Sequence, residues 1–131
     1  MKAFVDLLRR WWRGRNDKRV LAQTAFCDEG GVSQFDWLGD EEVHHRVAWD
    51  QVETVIAFPV GPYDVGVALL DNRGEVLASV SDASGSFGAF ISGLPKWLSG
   101  CQQPVEWEDR VLSSWQTVVI FRRSRAPVGG G

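Results

Sequence analysis

Few residues in this 131-residue chain are equipped for chemistry, and their spacing argues against most of it. His44 and His45 are the only histidines; Cys27 and Cys101 are the only cysteines. A metal site needs several such ligands converging on one ion, which sequences usually achieve through short fixed spacings. This chain has no C-x-x-C and no H-x-x-x-H. Neighbours on a strand point to opposite faces, so His44 and His45 cannot share a metal from a regular strand. The expectation is one half-buried histidine and one at the surface. A cysteine–histidine nucleophile pair lacks any local signature, and small buried cysteines are commoner than reactive ones. The glycine-containing turns lack the G-x-x-x-x-G-K-[ST] phosphate loop. No catalytic residue, metal or cofactor is assigned, and an enzyme is the last-ranked reading.

Carboxylates are plentiful but sit where turns are expected: Asp28-Glu29 before two glycines, and Asp40-Glu41-Glu42 after Gly39. Solvated turn acids explain them simply. A docking face explains them too, with Asp36 projecting from the strand between the two clusters. Successive hairpin tips fall at opposite ends of a sheet, so the clusters are expected on opposite rims. The charge distribution bears on this choice. The formal net charge is −3. Residues 1–19 hold seven basic groups against Asp6 and Asp17, and residues 20–121 hold four against fifteen acids. Arg122, Arg123 and Arg125 follow. An acidic body between basic ends repels nucleic acid and attracts basic protein surfaces, although acidity also serves solubility alone. The partner-binding candidates are therefore Asp28, Glu29, Asp36, Asp40, Glu41 and Glu42, facing a basic, toxin-like protein.

The elements that must position these groups follow from periodicity. Residues 2–13 form an amphipathic helix pattern: Phe4, Leu7, Leu8, Trp11 and Trp12 share one arc, and Lys2, Arg9, Arg10 and Arg13 fill the other side. Gly14 stops it and residues 15–19 are a polar linker. From Val20 the period is two. Strands are expected at 20–27, 32–38, 41–49, 52–60, 65–70 and 75–81, the last pair joined through Asp71-Asn72-Arg73-Gly74. Phe87, Phe90, Ile91 and Leu94 have helical spacing, with Ser84 as N-cap and Pro95 as terminator. Pro104 opens a second short helix that buries Trp107, Val111 and Leu112. Residues 117–121 make a last strand. The order predicts an α+β domain over 20–123: one curled antiparallel sheet of six to seven strands packed on a helix near 84–94. Five tryptophans beyond residue 19 are available to fill its core. Residues 1–19 stand apart as helix and linker, and 124–131 as a flexible tail.

Val47 to Phe58 reads V-A-W-D-Q-V-E-T-V-I-A-F. With Trp49, Val52, Val55, Asp71, Gly74, Leu94, Pro95 and Arg122, it resembles small bacterial single-domain proteins of pleckstrin-homology-like or toxin-immunity type. The resemblance spans roughly residues 22–123 and implies a curled sheet and a protein-binding role. A strand after the helix departs from the pleckstrin-homology pattern. No catalytic residue is implied.

The N-terminal helix leaves three destinations open. Tryptophan and arginine on an amphipathic helix suit an anionic membrane surface. The same apolar face suits its own domain or a second subunit, or a partner's groove. Two cysteines are too few for a disulfide scaffold, no apolar run spans a bilayer, and no cleavable signal is recognisable. The expected location is cytoplasmic, with peripheral attachment at the inner membrane face as an option. The leading functional expectation is a non-enzymatic immunity or inhibitor protein; the alternative is a peripheral membrane adaptor.

Overall fold

The computed structural model describes residues 20–38, 40–82 and 84–123. The helix expected at 2–13, its candidate residues Phe4 to Arg13, and the tail from 124 lie outside them. Strands β1 (Val20–Asp28), β2 (Gly31–Leu38) and β3 (Glu41–Ala48) form an antiparallel meander. A short 3-10 turn follows at Trp49–Gln51. Strands β4 (Thr54–Pro59), β5 (Val65–Leu70) and β6 (Val76–Ser81) come next. Helices α1 (Phe87–Trp97) and α2 (Pro104–Ser114) precede β7 (Val118–Arg122).

The α+β class is as expected, but a single curled sheet does not form. The described residues form two antiparallel sheets, one ordered β1-β2-β3 and the other β6-β5-β4-β7. Two physical causes separate them. At the corner, Trp49 donates its indole N–H to the Asp28 carbonyl at 2.7 Å, and Val52 N–H bonds back to Trp49 at 3.2 Å. That corner turns the chain away from β3, so β4 pairs with β5 and β7 instead. At the other junction, side chains occupy the edge of β6. Gln23 donates to the Ser79 carbonyl at 3.0 Å, and the Ser79 N–H donates to Gln34 at 3.1 Å. Backbone groups that a neighbouring strand would satisfy are satisfied by amides instead.

Turn chemistry fixes the β1–β2 and β5–β6 hairpins. The Asp28 carboxylate accepts from Gly30 N–H at 2.8 Å and Gly31 N–H at 3.0 Å. Gly31 has φ +151°, and a Cβ there would lie 1.9 Å from the Val47 carbonyl oxygen, so only glycine fits. Asp71 repeats the device, accepting from Arg73 and Glu75 while Gly74 takes φ 79°.

One face of the four-stranded sheet carries Val55, Ala57, Val67, Leu69, Ala78 and Val80 into the main core. Phe87, Phe90, Ile91 and Leu94 meet it as expected, joined by Trp107 and Val111 of α2. Helix α1 is displaced from its expected span. Ser84 is not its cap: its hydroxyl donates to the Gln23 carbonyl at 2.7 Å, tying the loop to β1. Pro95 does not end it either: it lies within the last turn, and the helix closes with Leu98 N–H on Leu94 at 2.8 Å. In α2, Glu106 reaches back to the Gln103 N–H at 2.6 Å, and Pro104 occupies the first turn. The expected tryptophan core reduces to Trp107 alone as a fully buried ring; Trp37 and Trp115 are exposed.

Phe90 is fully buried at the centre of this core. Phe90→Ala should destabilise the protein by about 3–5 kcal/mol in urea unfolding. A loss below about 1 kcal/mol would mean that α1 does not organise the core.

Candidate functional site

The two acidic clusters do fall at opposite ends of the three-stranded sheet. Glu29 lies in the β1–β2 turn; Asp40, Glu41 and Glu42 lie at the β2–β3 end, and all four are exposed. The other two candidates have different roles. Asp28 is committed to its own turn and to Arg46, which grips it in a bidentate pair with bonds of 2.9 and 2.8 Å. Those bonds, led by the Arg46 contact and then the Gly30 N–H, hold the Asp28 carboxyl down at about 2.

Asp36 is not on the surface, which corrects the expectation that it projects toward a partner. It is only 1% exposed. Its carboxylate accepts from Gln23 at 3.1 Å and from Gln34 at 2.9 and 3.2 Å, and His45 approaches at 3.6 Å. Asp36 orients the two amides that close the β6 edge.

The inner face of this sheet is consequently the polar and small-residue one. Ala25, Val32, Gln34, Asp36 and Val47 point inward, with Cys27 alongside. Cys27 must be small because Gly93 of α1 passes close: a Cβ on Gly93 would lie 3.3 Å from Cys27 Cβ. The aromatic residues therefore occupy the outer face. Phe26 is 55% exposed and Trp37 40%. Phe35 lies between them, edge-on to Phe26 with centroids 6.5 Å apart. His44, opposite Phe35 on β3, stacks on it at 4.4 Å and 3°. These four rings did not emerge as docking candidates from the sequence, where the tryptophans beyond residue 19 read as core. The available signal was the other parity: alternate positions of β1 and β2 carry Gln23, Ala25, Cys27, Gln34 and Asp36, the small groups and the amides.

Among the described residues, no three His, Cys, Asp or Glu side chains are grouped to hold a metal. Burial, and secondarily the Asp28 charge, pushes the Cys27 thiol up to about 11. Burial, and then Glu106, pushes Cys101 up to about 12. Both stay protonated at neutral pH, so neither is poised as a thiolate. A cleft of about 530 Å³ is lined by Trp49, Asp50, Trp97, Phe121 and Arg123. Its Arg123 is engaged with the carbonyls of Val52 at 3.0 Å and Trp49 at 2.6 Å. No described helix is long and apolar enough to cross a membrane.

The Asp28–Arg46 pair has a pH signature. A carboxyl depressed below its unfolded value of about 3.9 stabilises the fold above that pH. The contribution fades as pH falls toward 2. Asp28 should titrate near 2 by carboxyl NMR, and Arg46→Ala should move its midpoint up toward the ordinary carboxylate range. An unmoved midpoint would assign the depression to the turn N–H groups alone.

No family model, curated protein or solved structure matches the chain.

Proposed function

We propose that this is a non-enzymatic binding protein of immunity or inhibitor type that docks a basic protein partner on the outer face of β1-β2-β3. One observation carries the reading: Phe26, Phe35 and Trp37 form an outward aromatic ridge on a sheet whose other face is occupied by the core. Aromatic anchors inside a polar rim are the arrangement from which interface hot spots are made. The rim here is acidic at both ends, through Glu29 at one and Asp40, Glu41 and Glu42 at the other. Carboxylates at those positions steer a basic partner toward the ridge, and the rings supply the desolvated contact. Asp28 and Asp36 drop out of the docking set, one neutralised by Arg46 and the other internal. By sequence pattern, residues 22–123 resemble small bacterial proteins of pleckstrin-homology-like or toxin-immunity type, and the second of these supports a toxin as the class of partner.

The test is affinity capture from extract of the source cells, followed by kinetics with the captured protein. Wild type should retain a basic protein. Trp37→Ala with Phe26→Ala should lose it while keeping a native unfolding transition. Replacing Glu29, Asp40, Glu41 and Glu42 by their amides should slow association about tenfold or more at low salt and remove most of its salt dependence. Equal retention by the aromatic variant would contradict the proposal.

A further inference from the structure

The four-stranded sheet has a second apolar face, and it is buried. Helices α1 and α2 pack on the face bearing Val55, Val67 and Leu69. The opposite face carries Ile56, Phe58, Ala68 and Leu70, flanked by Val60, Val76 and Val119. Ile56 is 1% exposed, Ala68 0% and Leu70 1%. Ser79, which pairs with Ala68 across β5 and β6, is equally buried. A bare sheet face in water does not reach such values. The apolar cluster nevertheless contains no residue from any described element other than these strands.

We propose that residues 2–13 of the same chain cover this face, with Phe4, Leu7, Leu8 and Trp11 turned onto Ile56, Leu70 and Val119. Composition selects the segment. Outside the described residues, the C-terminal stretch 124–131 offers only Ala126, Pro127 and Val128 as apolar groups, whereas 2–13 offers a whole apolar arc. Reach permits it. β1 begins at Val20, and three residues on, Gln23 bonds to Ser79 and Ser81 at the β6 edge. The chain thus enters β1 beside the margin of the face in question. Residues 14–19 can span up to about 20 Å when extended. From β6 to β4 is two strand spacings, about 10 Å. A twelve-residue helix is about 18 Å long, enough to cross all four strands. Charge is compatible: Glu53, Asp71 and Arg122 border a cleft with Ile56 and Leu70, and its two carboxylates against one guanidinium leave an acidic balance for Arg9, Arg10 and Arg13 of the helix's polar side to complement.

The fold then becomes three layers, with the sheet between two helical faces. That explains why every residue of β5 is buried. It also spends the Trp/Arg segment on its own domain, so membrane attachment through it would have to uncover Ile56 and Leu70. This face is distinct from the aromatic ridge proposed for partner docking, and either assignment stands without the other.

Methyl NMR on the full chain tests it. Cross-peaks within one protomer are expected from the ring protons of Phe4 and Trp11 to methyls of Ile56, Leu70 and Val119. In the full-length Leu7→Glu/Trp11→Glu variant, those methyls should shift while Val55, Leu69 and Leu94 hold their positions. Wild type should not co-sediment with vesicles of phosphatidylglycerol and phosphatidylcholine. Absent cross-peaks would overturn the proposal whether or not the variant folds. Cross-peaks found only between differently labelled protomers would replace it with a second copy. Vesicle binding with unchanged Ile56 and Leu70 methyls would replace it with a membrane surface.

Discussion

The described fold depends on how the backbone edge of β6 is closed. An edge strand must satisfy its N–H and C=O groups or recruit another strand. Here Gln34 accepts the Ser79 N–H and Gln23 takes the Ser79 carbonyl, while Gln23 also accepts the Ser81 N–H at 3.3 Å. An amide can be turned either way, so something must orient both. Asp36 does so, accepting only from their NH₂ ends and leaving both carbonyl oxygens aimed at β6. The buried carboxylate is thus a structural part of the seam. Leaving any of its partners unpaired in this dry location would cost about 1–3 kcal/mol per group.

The seam decides which way the three-stranded sheet faces. Once Gln23, Gln34 and Asp36 point inward, every residue of opposite parity points out, because strand side chains alternate. Phe26, Phe35 and Trp37 are of that parity. The surface reading is therefore a consequence of the core: the protein exposes rings because it buries amides. The Asp28 turn completes the frame, with Arg46 and Trp49 both fastened to that residue. A sheet held at its β6 seam, its corner and α1 presents a preorganised face, which lowers the ordering cost of binding.

How much of this the sequence carries differs by element. The strand positions, the Asp71 hairpin and the apolar stripe of α1 were legible, since each rests on local periodicity or turn chemistry. The split into two sheets was not. It depends on amide contacts between residues 45 to 58 positions apart, which no local pattern encodes. The same long-range contacts hid the orientation of β2. An alternation of Phe and Trp against Gln and Asp reads by default with aromatics inside. The acidic hairpin tips were readable as turn acids. That Asp28 and Asp36 serve the fold became evident only with Arg46, Gln23 and Gln34 in place.

The central claim is that partner recognition uses the outer face of β1-β2-β3. Oxidative footprinting of the protein bound to its captured partner addresses it most directly, because the molecule contains its own control. Trp37 and Phe26 lie on the proposed face; Trp115 and Tyr63 are also exposed but belong to the end of α2 and the β4–β5 loop. Binding should protect Trp37 and Phe26 from oxidation and leave Trp115 and Tyr63 as reactive as in the free protein. Protection of Trp115 or Tyr63 with Trp37 still reactive would place the partner elsewhere and contradict the account.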